Sequence, residues 1–140
     1  GFWQKANLHE EVVRVPLIVS VPGIKPGRTS SLVELVDLYP TWTELLGVPT
    51  PKGLHGKSLA PLLRNPNAKV RDTALSIHNR GGGGLRSAKW HYMKYGDKGE
   101  ELYDMTKDPG QYTNVVSDPK YATVLEEARA QFKARMAVAR

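Results

Sequence analysis

Leu85-Arg86-Ser87-Ala88-Lys89-Trp90-His91-Tyr92-Met93-Lys94-Tyr95-Gly96-Asp97-Lys98-Gly99-Glu100-Glu101-Leu102-Tyr103-Asp104-Met105 is the stretch whose reading decides the fold. Two aromatic-rich arms, Leu85–Tyr95 and Glu101–Met105, flank Gly96-Asp97-Lys98-Gly99, and that grammar predicts an antiparallel hairpin. Trp90, Tyr92 and Tyr103 read as packing residues of the hairpin. Glu100 and Glu101 are adjacent, so on a strand they point to opposite faces and do not form a carboxylate pair. Downstream, Asp118 is suited to cap a helix with Pro119 at its first position. Tyr121, Leu125, Ala128, Phe132 and Met136 then recur at steps of three and four, an apolar stripe to lay on the sheet. Upstream, Asp72–Ile77 reads as a strand, and Gly81–Gly84 as a flexible loop with little side-chain chemistry of its own.

Further toward the N-terminus the pattern changes. Val15-Pro16-Leu17-Ile18-Val19-Ser20-Val21 is a near-continuous apolar run that reads as a strand buried on both faces, with Pro16 at an edge or first position. Pro22-Gly23 and Pro26-Gly27 mark turns. Proline inside a helix is costly but harmless in the first turn, so Pro40 fixes a helix capped by Asp37 and stopped by Gly47. Residues 32–36 are then a short strand or a turn, and 48–69 is connecting structure with one short helix at Leu59–Leu63. The fold class is α/β, and α+β within this stretch. Residues 1–70 contribute one strand and helix of a larger α/β layer, and residues 71–140 a small antiparallel sheet packed on a terminal helix.

Composition narrows the function classes. The chain has 140 residues, a formal charge of +6 and no cysteine. Disulfides, thiolate metal sites and a cysteine nucleophile are thereby excluded from these residues. The basic excess is diffuse, without the dense cluster or aromatic platform of a nucleic-acid module, so no nucleic-acid partner is expected. No apolar run reaches the ~18–20 residues of a membrane helix. The four histidines, at 9, 55, 78 and 91, never fall at the spacing that places two on one helix face, and His9-Glu10-Glu11-Val12-Val13 lacks the second histidine of a zincin. Glu10 and Glu11 read as solvating residues paired with Arg14. No serine lies in an elbow motif, and the glycine run does not follow the phosphate-loop grammar.

A resemblance then enters. Trp3-Gln4-Lys5, Glu10-Glu11-Val12-Val13-Arg14-Val15-Pro16-Leu17-Ile18 and Pro22-Gly23 resemble the stretch after the Asp-His-Gly metal motif of type I sulfatases, arylsulfatase-like members of the alkaline phosphatase superfamily. The match continues through Leu35-Val36-Asp37-Leu38-Tyr39-Pro40-Thr41 and Gly56-Lys57-Ser58-Leu59-Ala60-Pro61-Leu62-Leu63. Arg86 to Tyr92, Glu101 to Asp104, Asp108-Pro109-Gly110 and Asn114 complete it. Nearly the whole chain is covered in family order, and the succession is most like the iduronate-2-sulfatase and choline-sulfatase branch.

The resemblance implies a C-terminal sulfatase segment, incomplete as an enzyme. The family hydrolyses sulfate esters with a formylglycine and Ca²⁺, and both sites would lie in the N-terminal part of the same sulfatase. Ser20-Val21-Pro22-Gly23-Ile24 has Ile where the formylglycine motif requires Arg, and no metal ligand carries over. Lys5 carries over as a sulfate contact, a compact charge suited to neutralising an oxyanion. His78, beside the glycine run, is a substrate-binding candidate. His9 stands where the family usually has an aromatic residue. Gln111 stands where it commonly has Glu, a change given no catalytic meaning. The implied substrate is a sulfated small molecule or glycan, and the implied compartment periplasmic, secreted or lysosomal. Alone, the chain is expected to turn over nothing. Two other readings remain: a phosphodiesterase or phosphonate hydrolase of the same superfamily, and a non-enzymatic basic domain that binds sulfated polysaccharide.

Overall fold

A computed structural model describes residues 7–78 and 82–139. They fall into two compact units, one running Leu17–Ala74 and the other joining the described residues up to Pro16 with those from Leu75 onward. Helices and a four-stranded sheet give the mixed α/β character read from the sequence.

The sheet has the order β1 (Thr73–His78), β2 (Gly82–Ser87), β3 (Trp90–Lys94) and β4 (Glu100–Asp104), neighbour beside neighbour. The β3–β4 hairpin forms as predicted, with His91 opposite Tyr103 and Lys94 opposite Glu100. Its turn closes through the Tyr95 N–H on the Gly99 carbonyl at 3.0 Å, and Gly96 and Gly99 supply the positive φ it needs (60° and 127°). The arm beginning at Leu85 differs from the prediction. It is two strands, because Ser87 Oγ accepts the N–H groups of Lys89 (3.2 Å) and Trp90 (3.0 Å) and folds the chain back at Ala88. Leu85 then pairs with Tyr92 and Arg86 with His91.

The glycine run is a second correction. Gly82, Gly83 and Gly84 are buried in β2, not a loop. A Cβ at Gly83 would stand 2.8 Å from the Ser76 carbonyl oxygen and 3.1 Å from the Phe132 ring. One at Gly84 would stand 3.1 Å from His91 Nε2. Glycine is required by close approach from both faces, not by flexibility.

One face of the sheet is covered by α4 (Ala122–Val138), entered through a 3-10 turn at Pro119–Tyr121 where Asp118 accepts the Lys120 N–H at 3.0 Å. Leu125, Ala128, Phe132 and Met136 are its buried residues, the stripe expected from spacing, packed on Leu85, Tyr92 and Leu102. Arg129 from α4 grips Glu100 with two donors, and Tyr92 donates to the same carboxylate at 2.6 Å.

In the Leu17–Ala74 unit, α2 (Leu38–Leu46) has the bounds read from the sequence, starting after Asp37 and ending at Gly47 with φ 66°, but the Asp37 side chain does not cap it and is drawn instead to donors outside the helix. A 3-10 turn at Leu35–Asp37 precedes it and α3 (Ala60–Arg64) follows. Asp37 is completely buried and does more than mark the helix start. Its carboxylate takes the N–H groups of Glu34 and Lys57, each at 2.8 Å, and the Arg71 guanidinium, which also reaches Glu34 at 2.8 Å. Thr41 Oγ1 donates to the Asp37 carbonyl and accepts the Leu59 N–H. The loop approaches this closely because residue 56 is Gly: a Cβ there would sit against the Val36 carbonyl. The predicted strand at Val15–Val21 is absent. Those residues form no regular element, and Val15 is 56% and Ile18 91% exposed. A strand buried on both faces needs neighbours, and none of the described strands pairs with it.

Candidate functional site

Lys5 lies outside the described residues; the segment that follows it is described and is held against the sheet face opposite α4. Alternation along the strands sends His91, Met93, Glu101 and Tyr103 to that face while Tyr92 and Leu102 go to the helix. Leu8 is buried among Met93, Tyr103 and Met105. His9 follows, itself buried, its ring centroid 5.7 Å from that of Tyr103 and its Nε2 3.7 Å from a Glu101 carboxylate oxygen. An imidazole therefore occupies an aromatic setting, which accounts physically for its standing where the family has an aromatic residue.

Glu10 opens the one-turn helix α1 (Glu10–Val13) and is pinned twice. Its carboxylate accepts Arg86 Nε at 3.1 Å, and its backbone N–H donates to Gln111 Oε1 at 2.6 Å. The ion pair with Arg14 read from the sequence is present at 3.9 Å, but Arg14 is largely exposed and the pair contributes little. Gln111 Nε2 stands 3.0 Å from His91 Nδ1. His91 is wholly buried and its Nε2 has no hydrogen-bond partner among the described residues. Burial, reinforced by the nearby Arg86 and His9, pushes the His91 imidazole down to about 3, so it is neutral across the ordinary pH range.

Gln111 owes its place to the loop after β4. The Asp104 carbonyl accepts the Asp108 N–H at 2.8 Å, the Asp108 carbonyl accepts the Gln111 N–H at 3.1 Å, and the Asp108 carboxylate accepts the Thr113 N–H at 2.7 Å. Asn114 Oδ1 closes the loop onto the Leu102 N–H at 3.0 Å. Gln111 itself sits at φ 55°, a conformation unusual for a side chain with a Cβ and sustained here by the surrounding bonds. Asp108-Pro109-Gly110 and Asn114, which entered the sequence reading only as matching residues, thus have a mechanical reason. Gln111 and His91 were missed as a pair; what betrays them is a polar residue on the inner face of an otherwise aromatic hairpin.

His78 ends β1 with its ring 6.3 Å from Tyr95, edge to face, and Tyr95 packs against the Leu8 cluster. His78 and the segment after Lys5 therefore share one face of the sheet. The Tyr95 hydroxyl, pushed up to about 12 by burial and by the Glu101 charge, stays protonated and neutral beside it. No three of His, Asp or Glu converge as a metal site requires among the described residues, and the chain has no cysteine. Among the described residues no helix is long and apolar enough to cross a membrane.

This antiparallel four-stranded sheet with its helices matches the C-terminal region of sulfatases of known structure. The solved structure of a 2-O GAG sulfatase matches it with a TM-score of 0.62 and 34% identity, over 72% of this chain and 24% of that one. The chain belongs to the N-sulphoglucosamine sulphohydrolase, C-terminal family, which matches residues 1–137. It is 33% identical to arylsulfatase K of Rattus norvegicus over 81% of its length and 23% of that protein's. It is 35% identical to a Delta 4,5-hexuronate-2-O-sulfatase of Bacteroides thetaiotaomicron, over 89% and 28%. The chain spans about a quarter of the length of these relatives. A phosphonate monoester hydrolase from Silicibacter pomeroyi is also similar, with a TM-score of 0.69 and 25% identity over 84% of this chain and 28% of that one.

Proposed function

We propose that this chain supplies the C-terminal part of an enzyme that hydrolyses sulfate esters, with a sulfated small molecule or glycan as substrate and Lys5 as a sulfate contact. The family match over residues 1–137 carries this reading. In it, residues 1–70 close the catalytic α/β domain and residues 71–140 form the small C-terminal subdomain. Formylglycine and Ca²⁺ belong to the remainder of the enzyme, and His78 contacts substrate from the sheet edge. Two observations support the role of Lys5 and the assembly of this chain with the rest of an enzyme. The segment after Lys5 is anchored by Leu8 and Glu10 on the face that also bears His78. Leu35, Tyr39, Trp42 and Leu46, on one side of α2 and its entry turn, are 46–72% exposed, an apolar surface suited to burial against the rest of a longer polypeptide.

The test joins this chain to the remainder of its polypeptide and assays an aryl sulfate. Lys5→Ala is expected to lower kcat/KM about 10²–10³-fold, the usual cost of removing one charge-stabilising donor. A loss of less than about threefold sinks the Lys5 assignment. The likeness to a phosphonate monoester hydrolase gives a second reading, and an aryl phosphonate turned over faster than the aryl sulfate would establish it instead. Salt-sensitive retention on heparin by this chain alone would favour a glycan-binding role, which the diffuse charge does not support.

A further inference from the structure

We infer that Gln111 is a positioning residue: its side-chain amide, oriented by His91, holds the backbone at Glu10 and thereby sets the segment that carries Lys5 five residues upstream. The inference rests on the sulfatase reading for its catalytic consequence, but its structural half stands on donors and acceptors alone. A backbone N–H only donates. The atom of Gln111 that faces the Glu10 N–H at 2.6 Å must therefore be Oε1. The other end of the amide is then the NH₂ group, which only donates, and it faces His91 Nδ1 at 3.0 Å. Nδ1 must therefore be the unprotonated nitrogen, and the proton sits on Nε2, over Gly84. One backbone donor thus fixes the amide, and the amide fixes the tautomer.

The charged groups around this pair are consistent with a neutral ring. From the N-terminal segment it faces His9 and Glu10, from β2 Arg86, and from β4 Glu101, and the two carboxylates are already engaged, Glu10 by Arg86 and Glu101 by His9. No free carboxylate is left to stabilise an imidazolium. The residue at 111 decides this. A carboxylate there accepts only: it would still take the Glu10 N–H, but it would require a proton on His91 Nδ1, in the other neutral tautomer or in the imidazolium. Glutamine instead delivers the Glu10 acceptor with no charge in a buried site, and its anchoring does not vary with pH over the range in which the ring stays neutral. The unusual φ of Gln111 adds to the argument. The loop from Asp104 to Asn114 holds this backbone in the left-handed region, and what it gains is an amide aimed between His91 and Glu10.

Nitrogen-detected NMR of the His91 ring in the 140-residue chain tests the structural half. The expected result is a neutral ring with its proton on Nε2 down to about pH 4. A proton on Nδ1, or a midpoint near the ordinary histidine value, overturns it. In Gln111→Glu the proton should move to Nδ1. In Gln111→Met, which removes the acceptor, hydrogen exchange at the Glu10 amide should rise about tenfold or more while the amides of Leu125 and Phe132 stay protected. Unchanged Glu10 exchange overturns the anchoring. In the full polypeptide, Gln111→Met should lower kcat/KM for an aryl sulfate about tenfold, and Gln111→Glu should stay within about threefold of the parent because it keeps the acceptor. Equal kcat/KM for the parent and Gln111→Met overturns the positioning role. No sulfate-ester hydrolysis by the parent overturns the functional reading and this catalytic consequence, while the tautomer result is unaffected.

Discussion

The two units of the chain are centred on different kinds of side chain. In the sheet unit the apolar residues are inside: Leu85, Tyr92, Leu102 and Ala128 are almost fully buried, and charges such as Arg129 and Lys107 ride on the surface. In Leu17–Ala74 the charged and polar Asp37, Thr41 and Arg71 are buried as deeply as Leu59, Ala60 and Leu62, while Leu35, Val36, Tyr39, Trp42, Leu46 and Val48 are 46–72% exposed. One unit is held by the hydrophobic effect, which needs area. The other adds to a few buried apolar residues, Leu59, Ala60 and Leu62, a set of directional bonds that need geometry. A unit held the second way has its apolar surface to spare for something else.

Breaking each unit at its own centre gives the largest effects. Arg71→Ala leaves Asp37 and Glu34 buried without their cation, and we expect it to cost about 3–5 kcal/mol in urea unfolding. Phe132→Ala, which opens a cavity between α4 and the glycines of β2, should cost about 3–5 kcal/mol by the other mechanism. The distinction shows under salt. Added sodium chloride leaves the Phe132→Ala difference unchanged, because no charge is involved.

Acid separates the sheet's two faces. His91 titrates near 6.5 when unfolded and near 3 when folded, so between those values the unfolded chain binds the extra proton. Stability is fully present above about pH 6.5 and falls as pH drops toward 3, by several kcal/mol for a group this buried. His91→Gln should flatten that part of the pH profile, whereas an apolar change on the α4 face such as Phe132→Ala should shift the whole curve without altering its shape.

A smaller effect belongs to an element whose logic is local. Asp118→Ala removes the acceptor for the Lys120 N–H and should lower stability by about 1 kcal/mol, read as a drop in urea midpoint at constant slope. Elements of this kind were legible in the sequence. The Asp118 cap, the α4 stripe, the Asp37–Gly47 bounds of α2 and the turn at Gly96–Gly99 all follow from residues within a few positions of one another. What was not legible depends on partners far away. Gly82–Gly84 read as a loop because the Ser76 carbonyl, Phe132 and His91, which exclude a side chain there, are distant or carry no turn signal. Asp37 read as a cap, but its Arg71 partner lies 34 residues on. Glu10 and Gln111 are 101 residues apart, and no spacing rule links them. Val15–Val21 failed in the opposite sense: its composition is that of a buried strand, and composition cannot supply neighbouring strands.

The smallest effect sharpens the contrast most. Leu46 is 72% exposed at the end of α2, and Leu35 70% exposed at its start. In this chain alone, Leu46→Ser or Leu35→Ser should change stability by no more than about 0.5 kcal/mol, since neither side chain loses burial. If the α2 surface is covered in the longer polypeptide, the same substitutions there should cost about 2–3 kcal/mol each, the worth of burying a leucine. The measurement is a pair of urea titrations, one on the 140-residue chain and one on the full polypeptide. Equal, near-zero costs in both would mean that this apolar face remains exposed, and its exposure would then need a reason other than assembly with the rest of a sulfatase.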